Sequence, residues 1–198
     1  PGGRKTLEGF FFPASYTLRA SASAATLVKE QLSTFKRETA KIDYAYAKKK
    51  QLSRYDVLII ASLIENEAQT AKDRPLIAAV IYNRLKQGIA LGIDATTRYE
   101  TGNYGANGRP ILQSELDADT PYNTRRKPGL PPTPISNPGL ASLKAAAQPA
   151  KVPYLYYVVK PCGNGAHTFS TTDAEAQKAR DAYDRKRAEL GGKDPSTC

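Results

Sequence analysis

Metal-ligating residue types are scarce in this chain. One histidine, His167, and two cysteines, Cys162 and Cys198, are all that 198 residues hold, and no four-ligand zinc site can be assembled from them without carboxylates. No cofactor is expected. No run approaches the ~20 apolar residues that cross a bilayer. No signal peptide opens the chain, which starts Pro1-Gly-Gly-Arg-Lys without a methionine, as a processed or truncated protein lacking its targeting segment would. Internal repeats are missing too. So is any recognisable nucleic-acid reader: the basic residues are scattered among helical segments instead of gathered with stacking aromatics, and nucleic acid is not an expected partner.

Charged residues make up 24% and hydrophobic ones 40% of the sequence, a globular composition that argues against wholesale disorder. The length suits a single domain, 1–198, with one buried core. A formal charge of +10 attracts polyanions, whether nucleic acid, anionic lipid or the acidic polymers of a cell wall, and charge alone does not choose among them. Outside the cytoplasm Cys162 and Cys198 could form a disulfide clamping the C-terminal tail onto the turn at Cys162; two loose thiols are the alternative.

The chain is organised around Asp56-Val-Leu-Ile-Ile-Ala-Ser-Leu-Ile-Glu-Asn-Glu67. Apolar side chains all round a 3.6-residue helix predict burial on most sides, which brings Glu65 and Glu67 close to a core. A carboxylate there either pairs or holds its proton to unusually high pH, and the second outcome is what a general acid needs. Two positions two apart point to nearly opposite sides of a helix, so one is expected to be chemical and the other structural. Periodicity does not say which: Glu67 continues the Ile60, Leu63, Ile64 stripe, and Glu65 continues Leu58 and Ala61. The structural alternative is a helix end salted by Lys72 or Arg74.

Upstream, Leu7 to Tyr16 packs three Phe and a Tyr around Pro13 in an extended or turning segment. Ser23 to Lys49 predicts one long amphipathic helix, free of Gly and Pro, with Leu27, Val28, Leu32, Phe35 and Ile42 inward. Ser53 is the expected N-cap of the Glu-bearing helix, which stops near Thr70. Another helix is expected from Asp73, as N-cap, to Gly88. Asn83 shares its buried stripe and is therefore a hydrogen-bond hub or a cleft residue. Between Gly88 and Lys151 the texture changes to Gly, Pro, Asn, Asp and Thr, predicting ordered loops that line a site, with Arg125, Arg126 and Lys127 able to meet an anion. A short helix is expected over Leu140 to Ala147. Val152–Lys160 and Ala166–Ser170 read as a β-hairpin, and Thr172–Leu190 as a charged, Ala-rich helix. The fold class is α+β, mainly helical, with a small antiparallel sheet.

Leu7-Glu-Gly-Phe-Phe-Phe-Pro, Ala61-Ser-Leu-Ile-Glu-Asn-Glu67, Tyr82-Asn-Arg-Leu85, Asp94-Ala-Thr-Thr, Pro121-Tyr-Asn-Thr124, Gly129-Leu-Pro-Pro132, Asn137-Pro-Gly139, Leu143-Lys-Ala-Ala-Ala, Pro153-Tyr-Leu-Tyr156 and His167-Thr-Phe169 follow one another in this order. Together they resemble the YceG-like (MltG) endolytic murein transglycosylases over about residues 7 to 185. The resemblance implies a lysozyme-like catalytic core and a bacterial cell-envelope enzyme whose catalytic domain is extracytoplasmic. It further implies an N-terminal plasma-membrane helix and a LysM-like portion, neither contained in this chain. Its substrate would be peptidoglycan glycan strands, cut internally between N-acetylmuramic acid and N-acetylglucosamine to leave a 1,6-anhydro end, with peptidoglycan synthases as further partners.

By position, the resemblance selects Glu67 over Glu65 as the catalytic residue. A lytic transglycosylase needs one carboxyl group that first gives a proton and then takes one, and Glu67 should have a raised pKa. The resemblance also implies substrate contacts at Asn83, Asp94, Thr97, Tyr122, Asn123, Thr124 and Asn137, with His167 lining the site. Each has a plainer structural reading as a turn, cap or hydrogen-bond hub. The chain departs from the family pattern at Ala68, Ala95 and Thr133-Pro134. Two rivals remain: a lysozyme-type hydrolase with Glu67 as acid and Asp94 as nucleophile or base, and a cell-wall-binding module without catalysis.

Overall fold

Burial on nearly every side marks the helix that carries Glu67. The protein is described by a computed structural model covering residues 6–104 and 109–198; the opening Pro1-Gly-Gly-Arg-Lys and the 105–108 part of the polar stretch lie outside the described residues. Helix α3, Arg54–Glu67, opens with a capping box in which Ser53 and Asp56 satisfy each other's backbone N–H. Val57, Ile60, Ala61, Leu63 and Ile64 are wholly buried. Each buried Ile or Leu contributes about 1.5–3 kcal/mol, which makes α3 the axis of the core. Helices α4 (Asp73–Gln87) and α7 (Leu140–Ala147) pack on it and on each other. Ala145, Ala146 and Ala147 are buried, and their small side chains allow close helix approach. The Tyr82 hydroxyl, buried in that seam, donates to the Ala146 carbonyl at 2.9 Å.

The expected single helix over Ser23–Lys49 is two, α1 (Ala24–Thr39) and α2 (Ala45–Lys49). The break has a local cause: the Asp43 carboxylate takes the Ala45 N–H at 2.8 Å, an Asx turn that competes with the helical ladder. It lets Ala47 reach the core while Phe35 and Ile42 pack against its edge. Helix α4 starts one residue earlier in register than expected, with Lys72 as N-cap, which frees the Asp73 carboxylate for another task. Gly88 ends α4 in the left-handed conformation, φ 66°. The polar stretch read as loops holds two short helices, α5 (Asp94–Thr101) and α6 (Gln113–Asp117).

The sheet is one antiparallel hairpin, shorter than its sequence signal. Strands β1 (Tyr156–Val159) and β2 (His167–Ser170) pair Tyr157 with Phe169 and Val159 with His167. Helix α8, Asp173–Glu189, starts from a Thr172/Glu175 capping box and packs on both strands. At the hairpin turn Gly165 adopts φ 78°, and a Cβ there would stand 2.7 Å from Cβ of Gln69, so only glycine lets the turn close on the segment after α3. The same turn is held from the other side. Cys162 is disulfide-bonded to Cys198, and the Cys162 and Gly165 N–H groups donate to the Pro195 and Ser196 carbonyls at 2.7 and 3.4 Å. The class is α+β. Among the described residues no helix is long and apolar enough to cross a membrane.

Candidate active site

Glu65 and Glu67 go to different places. Glu65 Oε2 accepts the Gly139 N–H at 3.2 Å and so sits at the N-terminus of α7, where a carboxylate is favoured by the unpaired N–H groups and the helix dipole. Its work is structural. Glu67, the last residue of α3, turns into a cleft of about 400 Å³ that it shares with Asp94, Arg125, Arg84, Tyr156, Tyr157, His167 and Arg180. The cleft lies between β1, α8 and the start of α5.

The Tyr157 hydroxyl gives a hydrogen bond to Glu67 Oε2 at 3.1 Å, and the Ala95 N–H, in the first turn of α5, also favours the charged carboxylate. Burial pushes the Glu67 pKa up to about 7, the nearby Asp94 charge adds to the rise, and the Tyr157 hydrogen bond, the Ala95 N–H and Arg125 oppose it. No basic residue occupies the last turn of α3, so the negative end of that helix dipole is uncompensated locally. The result is a carboxyl that is half protonated near neutral pH, as a group that both gives and takes a proton requires. The same burial, followed by the Glu67 charge, pushes the Tyr157 phenol well above its ordinary value, so it stays a donor.

A chain of contacts stands behind Tyr157. Its ring meets that of His167 edge to face, centroids 5.4 Å apart, and His167 is fixed by Asp73. One Asp73 oxygen takes both the His167 backbone N–H and the ring Nδ1, each at 2.9 Å. The two side chains are only 7% and 4% exposed, so this link is dry. His167 reaches the cleft wall with Nδ1 already engaged.

Asp94 is half exposed in the cleft and paired with Arg125. Arg84 is spent on the fold: Nε donates to Leu155 O at 2.6 Å, Nη1 to Ala90 O and Leu91 O at 2.9 and 3.0 Å, and its plane lies over Tyr156 at 5.0 Å. It ties α4 to β1 and to the loop before α5.

The remaining residues read as substrate contacts have a different place, and all but Thr97 have their polar atoms engaged inside the protein. Asn83 donates to Val152 O and Tyr154 O at 2.9 and 2.8 Å, which makes it the hub that sets β1 against α4. Tyr122 bonds Thr133 at 2.7 Å. Asn123, almost wholly buried, donates to Leu116 O and Ala118 O at 2.9 and 2.7 Å. Thr124 Oγ1 takes the Ile93 N–H at 3.0 Å, and its carbonyl takes the Gly92 N–H; both bonds hold the entry to α5. Asn137 Oδ1 accepts from Gly9 and Phe11 at 2.8 and 3.1 Å, stapling the aromatic N-terminal segment. Thr97 is buried in α5, with a hydroxyl that meets no partner among the described residues. Of the residues selected from sequence, Glu67, Asp94 and His167 come together at the cleft. Tyr157, Arg84 and Arg180 were not selected. Tyr157 stands one residue past the quoted Pro153–Tyr156 motif, and Arg84 lies within Tyr82–Leu85. No group of three or more His, Cys, Asp or Glu among the described residues could hold a metal ion.

A family model described as the YceG-like family matches residues 3–182. Among similar proteins, an endolytic murein transglycosylase of Bacillus subtilis (strain 168) is 38% identical over 180 residues, covering 89% of this chain and 48% of that protein. One from Streptococcus pneumoniae (strain ATCC BAA-255 / R6) is 34% identical over 159 residues, covering 79% and 29%. A crystal structure of a YceG-like protein from Listeria monocytogenes superposes with a TM-score of 0.76 at 37% identity, covering 87% of this chain and 55% of that one. The chain thus spans about half, or less, of the length of these relatives. With a family match over most of its length and a like-folded relative at that identity, the chain belongs to the YceG-like family.

Proposed function

We propose that this chain is the catalytic domain of an endolytic peptidoglycan lytic transglycosylase, with Glu67 as its single acid and base. The observation that carries the proposal is the Glu67 carboxyl, held by the Tyr157 hydroxyl in the cleft and protonated up to about pH 7. Relatives named endolytic murein transglycosylases support the substrate class.

In this reading Glu67 gives its proton to the oxygen linking N-acetylmuramic acid to N-acetylglucosamine, and the C1–O bond breaks with its electron pair on that oxygen. The muramic C6 hydroxyl then attacks C1 while the Glu67 carboxylate takes its proton. A 1,6-anhydro ring closes, the acid is restored, and no water is consumed. Asp94 faces the same cleft and stabilises the cationic sugar at C1. Work in the bacterial envelope, attachment through a membrane helix outside this chain, and peptidoglycan synthases as neighbours belong to the same proposal.

A second reading has one observation in its favour: Asp94 presents a half-exposed carboxylate to the cleft, as a lysozyme-type hydrolase would need. Mass spectrometry of digested glycan strands separates the two, since anhydro ends mark the transglycosylase and reducing ends the hydrolase. Binding without either product would favour a non-catalytic module. Glu67→Gln keeps the shape and removes the acid, and strand cleavage by that variant at a rate near the wild type's would sink the mechanism.

A further inference from the structure

Three guanidiniums, Arg84, Arg125 and Arg180, line the cleft beside Glu67 and Asp94, and one of those two carboxyls keeps its proton to about pH 7. Arg84 is a fixed positive wall bonded to carbonyls. Arg125 and Arg180 are differently employed. Arg125 uses Nη2 on Asp94; Arg180 uses Nη2 on Asp173 at 3.0 Å, and Nε and Nη2 on Gln177 Oε1 at 3.0 and 2.8 Å. Among the described residues the Nη1 of each meets no acceptor. Burial depresses the Arg84 pKa, and repulsion from Arg125 and Arg180 depresses it further, so the three charges feel one another. An anion entering the cleft would relieve that repulsion and take planar N–H donors that suit a carboxylate.

We infer that Arg125 and Arg180 form a carboxylate-binding subsite in the Glu67 cleft, which takes the acidic group carried by the muramic residue of the strand. The inference rests on the transglycosylase reading for the identity of that strand. N-acetylglucosamine has no carboxylate, so the subsite distinguishes murein from chitin-like chains. The carboxylate has two sources: the lactyl group itself where the peptide has been removed, or the stem peptide where it is present.

The test is binding by the Glu67→Gln chain, with and without Arg180→Gln, to three probes: peptide-bearing strands, strands stripped by an amidase, and chitin oligosaccharides. Arg180 is partly exposed where α8 borders the cleft, and Arg180→Lys controls for charge. Arg180→Gln should weaken binding to carboxylate-bearing strands roughly tenfold, leave chitin oligosaccharides unaffected, and be partly rescued by Lys. A loss confined to peptide-bearing strands identifies the stem as the source, a loss confined to stripped strands identifies the lactyl group, and a loss on both shows that either carboxylate is taken. Equal losses on all three probes, or none, would overturn the subsite. Charge-selective binding by a wild type that releases no anhydro ends would overturn the transglycosylase reading and leave the subsite standing.

Discussion

Tyr157 hands its hydroxyl hydrogen to Glu67 Oε2 across 3.1 Å, a contact from the middle of a hairpin strand to the last residue of the core helix. A donor of this kind favours the charged carboxylate and fixes its direction. Tyr157→Phe should therefore raise the Glu67 pKa. Activity that needs the protonated acid falls as pH rises through about 7, and in the variant that limb should move to higher pH while kcat drops. A pH–rate profile checks both, and an unmoved limb would break the proposed link.

Glu67 also sets a pH-dependent stability cost. Its carboxyl titrates near 7 when folded, against 4.5 for the ordinary group, so between those values the folded state binds more protons and stability falls as pH rises. The full cost, on the order of 3 kcal/mol, is present above pH 7 and absent below about 4.5. Glu67→Gln should therefore lose about 10²–10⁴-fold in activity and yet be the more stable protein at pH 8, with no advantage at pH 4. Denaturant unfolding at the two pH values measures this directly.

Asp73→Ala removes the acceptor for a buried ring nitrogen and a backbone N–H of His167 at once. The expected loss is about 2–4 kcal/mol in urea unfolding. Because His167 backs Tyr157, kcat should also fall in the fraction that remains folded.

Gly165→Ala places a methyl group 2.7 Å from Gln69 Cβ at a left-handed backbone position. We expect a loss of about 1–3 kcal/mol and a lowered kcat, since the strained contact lies two residues after Glu67. Thermal unfolding and steady-state rates test the pair of effects.

The core could be read from the sequence because Ile60, Leu63 and Ile64 repeat at helical spacing and Ser53 and Gly88 carry unambiguous end signals. Periodicity could not choose between Glu65 and Glu67, because α3 is buried on both stripes and either carboxylate continues one of them; the family resemblance chose Glu67 by position. The physical difference between them lies in their tertiary partners, the α7 N-terminus for Glu65 and Tyr157 for Glu67. Asn83, Asn123, Thr124 and Asn137 carry amides and hydroxyls that suit sugars and backbone equally well, and here they bond backbone. Strand alternation puts Tyr156 and Tyr157 on opposite faces without telling which face meets α3. Arg84 reads as a surface cation of a helix until Ala90, Leu91 and Leu155 fold around it.

The family match ends at residue 182, yet Pro195 and Ser196 are buried against the hairpin turn and Cys198 is bonded into it. A chain trimmed to the family boundary would lose two carbonyl acceptors and a covalent tie spanning 36 positions, worth about 4 kcal/mol in loop entropy. Sequence kinship and mechanical completeness therefore stop at different residues, and the piece left over braces the wall on which the phenol is mounted.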